Sequence, residues 1–447
     1  MKKALAPVAA LLFSVSILLT GQGLMGTLLP VRASIEGFST VSIGIFGAGY
    51  FLGFAIGCLR GGELVQRVGH IRVFLAMAAL ASAAPLLHGL VVGPFAWSLL
   101  RLLNGFSLAV LYVVIESWLN EHATNDNRGV VFSTYAMITL SVLAAGQMMT
   151  LLYEPTGLQL FAIASVLISV AAIPVALSSS PSPELPETAA VDLGGLYRIS
   201  PAGALGCLAA GFANGAFWAL APVFTRSISE DPGLAAWFMT AAVLGGAVAQ
   251  WPLGALSDHI GRRAVLIAAS ISAAGIGASL SWPGITWDMT AIGILGACWG
   301  AAAFPLYTIA VAHANDYAEP SQYVTVSGGL LLMYGIGATV GPIFAATFLT
   351  LTNTGMLFLY CMIVHLFLVA FVLYRWLVQR APSEHPVPFA EALAATQTAS
   401  PVYEDEIAHD SRARRKTTLG LRGRHESNSH AGSSGMSFLS GQKEERQ

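Results

Sequence analysis

Long apolar stretches, each closed by a charge, a proline or a glycine, recur twelve times along the chain. They fall near 5–30, 38–60, 71–92, 95–118, 130–152 and 157–178, then near 201–224, 234–256, 264–282, 288–312, 322–349 and 355–378. A helix needs roughly 20 apolar residues to cross the hydrocarbon layer. Every stretch reaches about that length, the longer ones with some tilt. Hydrocarbon offers no partner for an unpaired amide, and the stretches lack the alternation of a barrel strand, so the pattern predicts helices. The expected fold class is all-α and integral to a membrane, with twelve transmembrane helices as two six-helix halves.

The halves are marked by a linker and by a repeat. Between the sixth and seventh stretches the chain reads Ser178-Ser-Ser-Pro-Ser-Pro-Glu-Leu-Pro and stays polar to about Ser200. At a constant offset of 192, Gln22 matches Asn214, Gly23 matches Gly215, Pro30 matches Pro222 and Val31 matches Val223. The same register aligns Gly53 with Gly245, Gly62 with Gly254 and Gly69 with Gly261, without a gap through two helices. The expected organisation is therefore an N-terminal half at 1–178, a cytoplasmic linker at 179–200, a C-terminal half at 201–379 and a disordered cytoplasmic tail at 380–447. Parallel repeats of this kind occur in a class of secondary transporters.

Composition agrees. The 447 residues are 55% hydrophobic and only 10% charged, against about a quarter charged in soluble domains, and mean hydropathy is +0.67. Of the 46 charged residues, 18 lie from Arg380 onward, which strips the first 379 residues further. This excludes an ordinary soluble enzyme, a secreted disulfide scaffold and a nucleic-acid binder. The four cysteines are far apart in apolar stretches and form no metal-ligand cluster. The start, Met1-Lys2-Lys3 before an apolar run, reads as a first span and not a secretory signal, because no small-x-small cleavage site follows. With the N-terminus inside, Lys2, Lys3, Arg60, Arg67, Arg72, Arg128, Arg198, Arg262, Arg263, Arg375 and Arg380 all lie inside, and only Arg32 and Arg226 face out. The bias predicts both termini in the cytoplasm and residence in the plasma membrane, the inner membrane of a bacterium.

The loop after the eighth stretch reads Gly254-Ala-Leu-Ser-Asp258-His-Ile-Gly261-Arg262-Arg263. Gly254 lets helices approach, Gly261 permits a left-handed turn, Asp258 suits a neighbouring helix N-terminus, and the arginines hold the loop inside. A topogenic basic turn would explain the arginines but not the full spacing. This loop resembles the signature cytoplasmic loop of the major facilitator superfamily. The counterpart after the second stretch is a degraded copy, Gly62-Glu-Leu-Val-Gln66-Arg67-Val-Gly69-His-Ile-Arg72, with Gln66 where the family carries an acid. The two loops are expected to latch one conformational state, with Asp258 capping the fifth span near Arg128. Val114-Ile-Glu116-Ser117, Asn127-Arg128-Gly129 and Gln250-Trp-Pro-Leu-Gly254 resemble the YcaD-like branch of that superfamily.

The fourth stretch carries the most informative polar groups. Arg101, Gly105, Leu108, Tyr112 and Glu116 share an arc of about 80° at 100° per residue. A charge at the bilayer centre costs at least about 2.5–3.5 kcal/mol, so the stripe should face protein or water. Arg101 and Glu116 are 15 residues apart, about 22 Å along a helix, and cannot pair. Arg101-x2-Asn104-Gly105 resembles a fourth-span family motif associated with proton coupling, with Asn104 in place of its glutamine. The resemblance also implies that the first, fourth, seventh and tenth spans line a central cavity, making Gln22, Asn214, Trp218, Trp299 and Tyr307 candidates beside Arg101, Tyr112 and Glu116. Interhelical hydrogen bonding and core packing are the plainer alternatives for the amides and rings. The glycine-proline motif of family antiporters is absent from the fifth span, which reads Ala145-Gly146-Gln147.

Gly21-Gln-Gly23-Leu-Met-Gly26 matches a dinucleotide fingerprint, but it lies inside an apolar span with no strand before it. No phosphate-binding loop precedes any of the four lysines, and no HExxH or GxSxG occurs. No enzyme activity, cofactor or metal is expected. The expected function is secondary active transport of a small solute by alternating access, coupled to protons, with export among the directions it allows. The expected partners are that substrate, protons and the lipid bilayer, with no nucleic acid, and the expected state is a monomer. The alternative is a transporter-like receptor or assembly protein that binds without moving solute.

Overall fold

The structure is a computed structural model that describes residues 9–122, 128–177, 193–282, 288–319 and 322–378. Twelve helices among them are long and apolar enough to cross a membrane, and no strand occurs among the described residues. In chain order the first six spans are Ala9–Ile35, Thr40–Val68, His70–Leu90, Pro94–Leu119, Thr134–Leu151 and Gln159–Ala176. The second six are Pro201–Arg226, Pro232–Ile260, Arg262–Leu280, Met289–Asn315, Thr325–Leu351 and Thr354–Val378. Most of the expected linker and the whole tail lie outside the described residues. The described end of that linker holds a short helix, Leu193–Ile199, which puts Leu196 into the second half's core.

Local chemistry sets the ends of several helices. Ser39 caps the second span by accepting from the Ser42 N–H at 3.1 Å. Asp231 caps the eighth, accepting from the Gly233 N–H at 2.8 Å just ahead of Pro232. The tenth span breaks where the sequence suggested one run. Its two segments are Met289–Ala303 and Pro305–Asn315, because Pro305 has no N–H to donate and its ring crowds the preceding turn.

The duplication seen in the sequence is duplicated in space. Gly69 and Gly261, 192 residues apart, make the turns after the second and eighth spans with φ of 95° and 94°, a conformation that a side chain disfavours. A Cβ on Gly53 would run into the Leu102 carbonyl, and one on Gly245 into the Ala297 carbonyl. The second and fourth spans, and the eighth and tenth, therefore meet backbone to backbone, as small residues allow in lipid. Gly245→Val is expected to destabilise the second half by at least the 1–3 kcal/mol typical of overpacking, read as a lower melting temperature of the purified protein. An unchanged melting temperature would contradict the close crossing.

The cores decide the shape. Call the side on which the first span begins the N face, and the opposite side the far face. At the far face one continuous core joins both halves: Leu24, Leu28, Phe46, Trp97 and Phe161 pack with Phe217, Phe224, Phe238, Trp299 and Phe358. At the N face the halves have separate cores. The first half has one (Leu18, Val65, Phe74, Leu111, Trp118, Phe132), and the second has a larger one (Cys207, Leu266, Leu306, Ile309, Leu330) and a small one (Ala209, Leu368, Val372). Cross-half contacts follow this division. Gly44 sits against Ala346 and Pro342, Gly47 against Ala219, and the Thr240 hydroxyl donates to the Ala144 carbonyl at 3.3 Å, all toward the far face. The halves share a core at the far face and keep separate cores at the N face.

Candidate functional site

Between the joined and the separated ends lies a cleft bounded by both halves, and the polar residues of the span centres gather there. Gln22, at the middle of the first span, donates from Nε2 to the Asn104 Oδ1 of the fourth span at 3.1 Å. Asn104 was the departure from the family motif, and the short amide fits this contact. Arg101, one turn earlier on the fourth span, lies over the ring of Tyr50 from the second span, 4.2 Å from its centroid. Its Nε is buried without a hydrogen-bond partner, and no carboxylate pairs with it among the described residues. The guanidinium is therefore held by cation–π attraction, worth roughly 0.5–2 kcal/mol. That falls short of the cost of a central membrane charge. It leaves the arginine's hydrogen-bonding edge uncommitted.

The stripe read from the fourth span holds together lower down. Tyr112 packs against Phe54 with ring centroids 6.0 Å apart. Glu116 is partly exposed and within electrostatic range of Tyr112, Tyr135, Cys58 and Tyr307. Tyr307 belongs to the second half, so the two halves face each other across the cleft at this level. Tyr307 also meets Tyr334 of the eleventh span at 4.8 Å. Asn214 is 3% exposed, leaves its Oδ1 unpartnered and sits beside Tyr334, which is in turn within range of Tyr50. Trp218 is partly exposed and lies parallel to Phe304 at the break in the tenth span, with centroids 5.8 Å apart and an interplanar angle of 4°.

One aromatic candidate is placed elsewhere. Trp299 is fully buried, stacked on Phe217 at 4.8 Å and edge-on to Phe358 at 5.3 Å. It belongs to the far-face core in this conformation, because the tenth span turns it toward the seventh and twelfth helices and away from the cleft. Tyr50, Tyr334 and Phe304 were missed by sequence reading. They lie on spans not assigned to the cavity or at a helix break, and a partly buried aromatic in an apolar run carries no signal of its own.

The two loops differ in the way their sequences differ. In the second, Arg262 is 4% exposed and holds Asp258 at 2.5 Å, the Ser257 hydroxyl at 2.5 Å and Asp316 at 3.4 Å. Arg263 donates to the Tyr317 hydroxyl at 2.5 Å. Burial raises the Tyr317 pKa, the Arg263 charge only partly opposing it, so the phenol stays neutral and accepts. These bonds tie the eighth and ninth spans to the segment after the tenth. In the first loop Gln66 and Arg67 are exposed. The position matching Arg262 is His70, which is buried against Trp118 with ring centroids 5.9 Å apart. Gly62 and Gly254 hold equivalent places near the ends of their helices. The side chain of Arg128, the expected neighbour of Asp258, lies outside the described residues.

No group of three or more potential metal ligands occurs among the described residues. A cleft between two related six-helix halves is the architecture of a secondary transporter with parallel repeats. Known proteins agree. The model of the Major Facilitator Superfamily matches residues 203–419, and that of the Sugar (and other) transporter family matches residues 9–188. An uncharacterized MFS-type transporter of Enterobacter sp. (strain 638) is 30% identical over 390 residues, covering 86% of this chain and 98% of the relative. The uncharacterized MFS-type transporter YcaD of Escherichia coli O17:K52:H18 is 28% identical, covering 79% of this chain and 91% of its own length. Among solved structures, the nucleoside transporter NupG aligns with a TM-score of 0.72 at 14% identity, over 82% of this chain and 98% of its own. A bacterial homologue of the lysosomal transporter Spinster, in an inward-facing and unoccupied conformation, aligns with a TM-score of 0.62 at 13% identity, over 89% and 98%. The chain belongs to the major facilitator superfamily, a family of membrane transporters, and resembles its YcaD members over most of their length.

Proposed function

We propose that this protein is a proton-coupled secondary transporter that moves a small solute by alternating access, with both termini in the cytoplasm of a bacterial inner membrane. The observation that carries the reading is the division of the cores: one shared core at the far face, and cores at the N face that each belong to a single half. A rigid rocking of the halves would exchange these arrangements while leaving each half's own packing intact. With eleven basic residues expected on the N face against two opposite, that face is the cytoplasmic one and the conformation is inward-facing. Gln22, Arg101, Asn214 and Trp218 form the upper wall of the cleft, with Tyr112, Glu116 and Tyr307 nearer its mouth. Glu116 is the proton-carrying group, since a partly buried carboxyl can change charge where an arginine cannot. Asp258 and Arg262 serve the latch at the cytoplasmic surface.

Flux in proteoliposomes tests this reading. A solute found by thermal-shift screening is expected to accumulate against its gradient when a proton gradient is imposed, and to stop doing so with an uncoupler. Glu116→Gln is expected to remove uphill movement while exchange of labelled for unlabelled solute continues. Accumulation that survives the uncoupler would overturn the coupling. Tight binding without any flux would favour the receptor reading.

A further inference from the structure

Among the described residues, no carboxylate neutralises Arg101 in the cleft. We infer that the cleft binds a small planar organic monoanion, such as an aromatic carboxylate, whose charge is met by Arg101. The inference rests on the reading of the cleft as the transport pathway and adds the chemistry of the cargo.

The guanidinium carbon lies over the Tyr50 ring, 4.2 Å from its centroid, and Nε has no hydrogen-bond partner among the described residues. A planar guanidinium with donors left unpartnered matches a carboxylate, which can accept two parallel hydrogen bonds from it. The nearest polar neighbours are neutral. Gln22 donates to Asn104 and is also hydrogen-bonded to Tyr50, and the His88 ring, within electrostatic range of Arg101, bonds the Ala84 carbonyl at 2.6 Å through Nδ1. Glu116 is 15 residues further along the helix, about 22 Å away by helical rise, too far to serve as a counter-ion. A cationic ligand would therefore meet uncompensated repulsion, and a polyanion would find a single positive partner. An anion of one charge completes the site.

The remaining walls describe the body of the ligand. Trp218 and Phe304 present stacked, partly exposed rings, and Tyr334 adds another from the second half. Flat aromatic walls favour a flat ligand. Asn214, buried with an unpartnered Oδ1, offers one hydrogen-bonding group opposite the charge. A ligand touching Arg101 on one side and Asn214 on the other would bridge the two halves.

Isothermal titration calorimetry on the purified full-length protein tests this. The probes are benzoate, cinnamate and indole-3-acetate, each compared with its neutral amide. At least one anion is expected to bind tenfold or more tightly than its amide. Arg101→Gln is expected to erase that preference, and Arg101→Lys to keep only part of it, since an ammonium neither forks nor stacks as a guanidinium does. Tyr50→Leu is expected to weaken the anion with little effect on the amide. Amides binding as well as the anions, no anion binding, or a preference that survives in Arg101→Gln would each overturn the inference. If Arg101→Gln does not fold, the wild-type comparison and Tyr50→Leu still decide. Flux of neutral solutes without anion preference would sink this inference and leave transport standing. Anion binding without flux would do the reverse.

Discussion

Gly44→Trp is expected to abolish transport by holding the two halves apart at the far face. A Cβ at Gly44 would already lie 2.6 Å from the Ala346 Cβ and 2.7 Å from the Pro342 carbonyl oxygen. A tryptophan there cannot be accommodated without moving the second span from the eleventh. Neither helix can yield alone, since each is packed into its own half through backbone-to-backbone crossings such as Gly53 on Leu102 and Gly211 on Tyr334. The least costly response is a swing of one half against the other, which closes the N face. Transport is expected to fall at least a hundredfold. Cys58, partly exposed and within range of Tyr307 across the cleft, supplies a second readout. Its alkylation by a soluble maleimide, measured with exposed Cys298 replaced by serine, should slow tenfold or more. Undiminished transport together with unchanged Cys58 labelling would show that the halves do not close at this contact.

The second large effect is expected at the second loop. The Arg262 and Asp316 side chains are 4% and 3% exposed, and Arg262→Gln leaves the Asp316 carboxylate buried without that partner. Breaking a buried ion pair from one side costs roughly 3–5 kcal/mol. A drop of several degrees in melting temperature is expected. Asp258 is exposed, and Asp258→Asn should instead reduce transport at unchanged expression. The corresponding change in the first loop, Gln66→Ala, removes an exposed side chain and should stay within about 0.5 kcal/mol. Comparable losses from Arg262→Gln and Gln66→Ala, in parallel thermal melts, would contradict the asymmetry. Together the variants ask whether one ionic loop steadies its half while the other loop, built on His70 and Trp118, rests on apolar packing.

That asymmetry was legible as Gln66 against Asp258, and its consequence was not. Sequence showed only that the first loop lacks the acid. Folding brought Asp316 and Tyr317, more than fifty residues downstream, onto Arg262 and Arg263, and packed His70 on Trp118. The fourth span behaves similarly. Its period-3.6 stripe placed Arg101, Tyr112 and Glu116 on one face, and the structure sets Arg101 on Tyr50 and Tyr112 on Phe54, both of the second span. What Arg101 rests on could not be read, because Tyr50 sits in an apolar run with nothing to distinguish it from Tyr112 or Phe54. Trp299 shows the converse: its span was assigned to the cavity, but rotation about the helix axis sends the ring into the far-face core.

The sequence by itself determined the number of spans, the duplication and the bias of positive charge, because each depends on local rules: the length of helix that crosses hydrocarbon, the register of repeated glycines, and the preference of arginine and lysine for one side. Tertiary structure decided which face of the bundle is sealed and which aromatic rings meet the uncompensated arginine. Both depend on how two rigid halves lean against each other. Each half keeps the same internal contacts whether they lean one way or the other, so the pattern of apolar residues is compatible with either pose.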